Sequence, residues 1–568
     1  MPAPRSGRGR RPAPTPIVPR GGRWLGCEDR VAWLLRTNRL YGPDRELAAG
    51  RTFARAFGGG CADRAVDAAQ VARWELVAAR ADYRTIRRYE ELLGLAENRL
   101  TVLADTVYRE ARGTPGRSTL DRGLDPHSAR LRGRTAELID QALGRDAMTG
   151  PDWDQLTANL WALPSVLLHP QRAWADLAQR LLAEMIIADG TDWLWRSEAL
   201  SRLLGHPDAE TSVIAACESL VADRTNQVFI EPMTALEVSP HPHAARSLVR
   251  QIVNPTNDHA FRGAWWSVAE KVGRGHFTPA DLATISGHAA SLLVSDGQHP
   301  GCRLAAAEFL RQVHEPRPAI RTLLRGVAAS DQIIHQVLAT GRAADAQGSR
   351  AMVDKLCAGA LSRMPDDVLE RDPMLARLVD ELLFHPQITR RVIAARLIEA
   401  TPYRAGVGAA LTAELRRPAV LADAPLASAL VYATAHLSER DGRQLLERLV
   451  LTSGTPSPVT EAAAWALGHA RGESAGQFWS RAFDRLLRQD ATPSTPNPPT
   501  SPIAASVLRG LVYALGVGRQ EAMLRRLRAE PGIPACTRVA AAWWLNIPGH
   551  ILHSTRREPS EPVTSPAR

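Results

Sequence analysis

Gln70 and Arg73 stand three residues apart in the run Ala68-Ala69-Gln70-Val71-Ala72-Arg73-Trp74-Glu75, so on a helix they project from one face. A glutamine amide can bond the edge of adenine and a guanidinium the edge of guanine, each pairing discriminating against a wrong base by ~1–3 kcal/mol. Arg51, Arg64, Arg80 and Arg84 flank that run and are expected to take backbone phosphates, which fix register without reading sequence. The chemistry expected here is recognition of double-stranded DNA by contact, with no bond made or broken.

Those side chains need a helix whose other side is packed. Val66, Ala69, Val71 and Trp74 include positions at helical spacing that can pack on a helix carrying Phe53 and Phe57, while Asp67 or Asp63 is placed to cap the start. The alternative is that Arg30–Leu100 is a plain helical cap that binds no nucleic acid.

The same stretch carries a family likeness. Val71-Ala72-Arg73-Trp74-Glu75 is followed by Ile86-Arg87-Arg88-Tyr89-Glu90-Glu91-Leu92-Leu93-Gly94-Leu95, and preceded by Arg30-Val31-Ala32-Trp33-Leu34-Leu35-Arg36 and Arg51-Thr52-Phe53-Ala54-Arg55-Ala56-Phe57-Gly58. Over roughly 70 residues this resembles the Cro/repressor-type (XRE) helix-turn-helix family. The resemblance implies two preceding helices, a recognition helix ending at Trp74-Glu75, and a closing helix ending at Leu93-Gly94-Leu95. It departs from the family pattern at Gly58-Gly59-Gly60-Cys61, where the turn is longer by about seven residues, and at Ala49-Gly50-Arg51 in place of the usual Ser or Gln, where the phosphate contact either comes from Arg51 or is missing.

With 568 residues the chain exceeds one compact core. A hydrophobic share of 45% and a charged share of 23% are those of a soluble globular protein. The net charge is +10, almost all arginine, with Lys271 and Lys355 the only lysines; an arginine-rich composition of this kind also follows from a GC-rich genome, so it weighs little for a polyanionic partner. Arg5, Arg8, Arg10, Arg11, Arg20 and Arg23 lie in a Pro/Gly-rich opening with no acidic residue before Glu28. That composition reads as a disordered basic arm, suited to following phosphates or entering a minor groove, or as an inert terminus. It lacks the apolar stretch of a secretory signal, and no run in the chain is long enough to span a membrane.

The chain is not expected to be an enzyme or to bind a cofactor or metal. His241-Pro242-His243 and His550-Ile551-Leu552-His553 are the close histidine pairs and have no cysteine or carboxylate at zinc-ligand spacing. Gly58-Gly59-Gly60 lacks the Lys and Ser/Thr of a phosphate loop. Cys27, Cys61, Cys217, Cys302, Cys357 and Cys536 are scattered, as in a reducing cytoplasm. An Arg- and Trp-rich helical body also resembles HEAT-like DNA glycosylases, for which Asp192, between Trp153 and Trp193, is the nominal carboxylate.

From about Arg132 the sequence is a succession of apolar-periodic segments broken by Pro, Gly and Asp, with hardly any alternating strand pattern. Segments beginning at Arg262, Arg303, Arg391 and Arg538 share an Arg followed by small and large apolar residues, and Glu461-Ala462-Ala463-Ala464-Trp465-Ala466-Leu467-Gly468 is the clearest instance. Arg262 to Arg303 is 41 residues and Arg303 to Arg391 is 88, close to one and two HEAT-type units of about 40–47 residues. Small residues let stacked helices approach, and the Trp pairs 193/195, 265/266 and 543/544 are expected to fill the gaps between them, the alternative being an aromatic surface that stacks a base or a small ligand.

The expected architecture is all-α: a disordered arm (1–23), a helix-turn-helix bundle (24–112), a linker (113–130), a HEAT-like α-solenoid (131–553) with a long loop at Asp490–Ser501, and a disordered tail (554–568). The expected function is a cytoplasmic DNA-binding transcriptional regulator, binding paired half-sites as a homodimer. Its body would sense a peptide, small molecule or protein in the solenoid groove or mediate oligomerisation. The alternative is a non-catalytic HEAT-like scaffold or adaptor for protein–protein interaction.

Overall fold

The computed structural model describes residues 26–58, 66–166, 168, 172–295, 298–313, 322, 324–327, 331–364, 371–490 and 502–555. Among them the protein is all-α, with no strand. The basic arm, Arg64, Cys61 and all of the tail beyond Thr555 lie outside the described residues, as does the loop expected at Asp490–Ser501 except for Asp490, the last residue of its helix.

Five helices come first: α1 (Cys27–Tyr41), α2 (Gly50–Gly58), α3 (Ala68–Glu75), α4 (Tyr83–Leu92) and α5 (Arg99–Arg112). The next group is α6 (Ala129–Leu143), α7 (Gly150–Ala162), α8 (Ala173–Met185), α9 (Gly190–Gly205), α10 (Glu210–Ala222), α11 (Ile230–Val238), α12 (Pro242–Val253), α13 (Asp258–Lys271), α14 (Pro279–Val294), α15 (Pro300–Gln312) and α16 (Gln332–Thr340). The last group is α17 (Ala346–Leu361), α18 (Pro373–Phe384), α19 (Ile388–Glu399), α20 (Tyr403–Leu415), α21 (Pro418–Ala422), α22 (Ala424–Leu437), α23 (Arg440–Leu451), α24 (Ser457–Ala466), α25 (Gly476–Asp490), α26 (Pro502–Val517), α27 (Glu521–Ala529), α28 (Ala535–Leu545) and α29 (Gly549–Ser554).

Local chemistry sets many of these boundaries. Asn257 caps α13 by accepting from the His259 and Ala260 amides at 2.9 and 3.0 Å, and Thr149 and Thr278 form capping boxes with Asp152 and Asp281. Each satisfies amides that the first helical turn leaves without a partner. Proline sits in the first turn of α12, α14, α15 and α18, where its missing N–H costs nothing. His241 is a cap too, its Nδ1 accepting from the His243 amide at 3.2 Å.

Most of the helices that lie two apart in sequence pack side by side. One row runs α7–α9–α11–α13–α15–α16 with α6–α8–α10–α12–α14 beside it, and a second row runs α17–α20–α22–α24–α26–α28. Small residues allow the approach: a Cβ at Gly408 would lie 2.5 Å from the Leu437 carbonyl oxygen, and one at Gly516 would overlap the Trp544 ring. The apolar interior falls into two cores. One covers Leu138 to Val337; the other joins the five N-terminal helices to residues Val353–Ile551.

The two rows face each other. Arg262 of α13 donates to Glu461 of α24 at 3.0 Å and to Ser506 of α26 at 3.1 Å, and the His299 ring meets Glu461 at 3.1 Å. Thr389 of α19 donates to Glu270 at 2.8 Å, while Asp189 receives Arg396 at 3.5 Å and His469 at 3.3 Å. These contacts join the two rows through the chain's own ion pairs and hydrogen bonds. The ends also meet: buried Arg196 donates to the Met148 and Ser554 carbonyls at 2.9 and 2.8 Å. Ser554 and Thr555 are buried, so the tail expected from 554 starts with two packed residues. No helix among the described residues is long and apolar enough to cross a membrane.

Candidate nucleic-acid interface

The segment expected to carry the recognition chemistry forms a bundle of five helices. Asp67 caps α3, accepting from the Gln70 amide at 2.7 Å, which settles the choice between Asp67 and Asp63. Asp82 caps α4 through the Thr85 amide at 2.8 Å. Val71 and Trp74 turn inward, and the Trp74 ring meets Phe57 of α2 at 5.2 Å while Phe53 meets Tyr89 of α4 at 4.6 Å. The expected packing of the Trp74 helix on the Phe53/Phe57 helix is therefore present.

Glu75 closes the motif from the inside. Arg39 of α1 grips it at two points, the Tyr89 hydroxyl donates to its Oε1 at 2.9 Å, and the same guanidinium donates to the carbonyls of Leu47 and Ala48 before α2. The buried Arg39–Glu75 pair thus ties α1, α3 and α4 to the loop that leads into α2. Glu90 of α4 has an equivalent role at the next junction, accepting from the Leu100 and Thr101 amides at 2.6 and 3.0 Å at the start of α5 and pairing with Arg87 at 2.8 Å. Burial raises its carboxyl pKa, opposed by those amides and by Arg87. Sequence reasoning missed Arg39, Tyr89 and Glu90; the available signal was charge at otherwise apolar positions.

The outward side of α3 differs in phase from the expected one. Arg73 is exposed, but its exposed neighbours are Ala69 and Leu76, at i−4 and i+3, while Gln70 is half-buried on the flank. Arg51 and Arg55 on α2 are exposed as well, and a Cβ at Gly50 would lie 3.8 Å from the Ala68 Cβ, which brings the first residue of α2, next to Arg51, close to the first residue of α3. Arg51, Arg55, Arg73 and Arg84 make no hydrogen bond or ion pair through their side chains to a described residue.

Arg80 and Arg84 are brought together along the 119–123 segment and not beside the α3 stripe. Arg80 lies over the Tyr108 ring at 4.0 Å and donates to the Thr119 carbonyl at 3.3 Å; Arg84 reaches the turn at Gly123. Burial pushes the Tyr108 hydroxyl up to about 12, so it remains a neutral ring beneath a cation, a favourable contact.

The bundle's opposite side is fastened to the rest of the chain. Arg30 and Trp33 of α1 donate to Glu381 and Asp372 at 2.7 and 2.9 Å, and Asn38 donates to the Ala400 carbonyl at 2.9 Å. From α5, Arg109 pairs with Glu198 at 2.8 Å and Asp105 receives Arg202 at 3.1 Å. The segment expected as a linker joins in, with Arg122 on Asp154 at 2.8 Å.

Other sequence candidates resolve into structure. Asp192 pairs with Arg196 one turn on in α9, and the Trp153 indole donates to Glu184 at 2.7 Å. Trp265 and Trp544 are buried. Among the described residues no group of three His, Cys, Asp or Glu is placed to hold a metal. The Cys27 thiol, pushed up to about 11 by burial and Glu28, donates to the Glu28 carboxylate at 2.9 Å.

No protein-family model matches the sequence, and no curated protein matches it. Among solved structures, the chain is similar to an engineered protein from the Northeast Structural Genomics Consortium, 14% identical, over 73% of this chain and 98% of that one, with a TM-score of 0.19, a superposition too loose to define the fold.

Proposed function

We propose that this chain is a cytoplasmic DNA-binding transcriptional regulator, in which α2 and α3 form a helix-turn-helix and α6–α29 form a HEAT-like solenoid that holds it. The observation that carries the reading is the exposed side of α3, where Arg73 stands without a carboxylate partner among the described residues, between Ala69 and Leu76. An unpaired guanidinium on a short, firmly packed helix is the arrangement that reaches base edges. Exposed Arg51, next to the point where α2 and α3 begin close together, supports it as a phosphate contact. The anchoring of α1 and α5 to the body leaves α2 and α3 on the free side. We assign the body to sensing a partner or to holding a homodimer that spans two half-sites.

The test is recovery of genomic DNA bound to the tagged full-length protein at two salt concentrations. Sharp, salt-sensitive sites that share a palindrome, and that weaken and lose their preference at one base pair in Arg73→Ala, support a regulator. Equal recovery by wild type and Arg73→Ala rejects it. The adaptor reading draws on one observation, that the bundle is bolted to the body as a cap would be; it expects no shared DNA sequence at all.

A further inference from the structure

We propose that Leu76 reads the 5-methyl group of a thymine next to the base pair contacted by Arg73, so that a methyl-sensitive position adjoins the guanine of the recognition sequence. The inference rests on the DNA-binding reading above and adds a specificity-determining residue to it.

Ala69, Arg73 and Leu76 follow at i, i+4 and i+7, one continuous stripe on a helix. Val71, Trp74 and Glu75 fill the opposite side and are buried. Leu76 is 39% exposed, and it is the only large apolar side chain of the five-helix bundle so placed among the described residues. A single exposed leucine needs no explanation by itself; its neighbours supply one. The guanidinium beside it has no partner among the described residues, and Arg51 and Arg55 on the adjoining helix are likewise exposed and unpaired there. Such a surface complements a polyanion.

The backbone holds Leu76 in that position at a cost. Val77 has φ 61°, a left-handed conformation that disfavours a β-branched residue. It is enforced by the Ala78 and Ala79 amides, which both turn back to the Arg73 carbonyl at 2.8 and 3.0 Å. The helix therefore stops right after Leu76, and no further turn covers the leucine. Strain of this kind persists where the surroundings over-determine it, often at binding sites.

In the major groove, the thymine methyl is the apolar group on the base edges and the guanine N7/O6 pair is the arginine target. Leu76 and Arg73 are separated by about 4.5 Å along the helix axis, close to the ~3.4 Å step between stacked bases. One helix lying in the groove can thus place both side chains on neighbouring pairs.

The experiment is selection from a random duplex pool with the full-length protein, followed by replacement of each thymine in the selected sequence by uracil, which removes only the methyl. One position per half-site is expected to lose about fourfold in affinity, the worth of one buried methyl. In Leu76→Ala, whose thermal melt should match wild type because the site is exposed, that same replacement is expected to change nothing. A selected sequence with no uracil-sensitive thymine, or a sensitivity that survives in Leu76→Ala, overturns the inference and leaves the DNA reading standing. A pool that returns no shared sequence overturns both.

Discussion

Arg39 and Glu75 form a two-point ion pair inside the five-helix bundle, Nε to Oε1 and Nη2 to Oε2, both at 2.6 Å and both side chains buried. Removing one partner leaves a buried charge uncompensated, which costs about 3–5 kcal/mol. Glu75→Ala is therefore expected to destabilise the bundle by that amount. In Arg39→Met with Glu75→Leu, more than half should return. Hydrogen exchange of the α3 and α4 amides checks this, because those amides open with the bundle and not with the distant rows.

Val77 offers the opposite sign. Glycine adopts the left-handed region freely and is the usual residue where a helix closes this way. Val77→Gly is expected to stabilise the end of α3 by about 1 kcal/mol, read as slower exchange of the Ala78 and Ala79 amides. Faster exchange would mean that the Val77 side chain contributes packing that outweighs its backbone cost.

Much of this region was legible in the sequence. Val71 and Trp74 announced the packed side of α3, Asp67 announced its start, and the near absence of strand patterning announced an all-helical chain. The phase of the outer stripe was not legible: Gln70 and Arg73 are helical neighbours on paper, yet Arg73 shares its exposed side with Ala69 and Leu76 while Gln70 is half-buried. The Arg39–Glu75 pair spans 36 positions, and no local pattern couples residues that far apart. Repeat-like segments foretold helices stacked on helices. That Arg262 and His299 would both meet Glu461, across 199 and 162 positions, is encoded in no single repeat-like segment.

Gly516 tests that close stacking. A Cβ there would overlap the Trp544 ring, which is itself buried. Overpacking of a filled core costs about 1–3 kcal/mol. Gly516→Ala is expected to lower the melting temperature, and Gly516→Ala combined with Trp544→Leu to recover some of the loss. An unchanged melt for the single variant would show that α26 and α28 can slide apart without cost.

The pH dependence of stability has an identifiable contributor in Glu231. Its Oε2 is shut off from solvent without a hydrogen-bond partner, and burial pushes the carboxyl up to about 7 from an ordinary 4.5. A raised folded-state pKa means that the folded protein holds this proton more tightly. Its contribution is complete below about 4.5 and is lost as pH rises through 7. Glu231→Gln should thus flatten the decline between pH 5 and 8 and gain on the order of 2 kcal/mol over wild type at the upper end. Melts at four pH values with parallel curves for the two proteins would reject the assignment.

Arginines that hold phosphates and arginines that read bases separate by salt. Arg51→Ala is expected to weaken binding equally for all sequences and to reduce the slope of log affinity against log salt by about 0.9. Arg73→Ala should instead relax the preference at one base pair. A sequence-dependent loss in Arg51→Ala would move that residue from the backbone to the bases.

The bundle's attachment decides whether it acts alone. Arg30, Trp33 and Asn38 on one side of α1 end on Glu381, Asp372 and the Ala400 carbonyl, and the apolar core beneath runs without a break into residues from Val353 onward. Excising residues 24–112 strips α1 and α5 of these partners, exposing both apolar surface and charges that were buried in pairs. The excised piece is therefore expected to show weak, non-cooperative melting and no selected DNA sequence, while the full chain shows both cooperativity and selection. Circular dichroism melts and duplex selection on the two proteins decide it. A fragment that melts cooperatively and selects the same sequence as the full chain would make the body dispensable for recognition and leave it a role in partner binding alone.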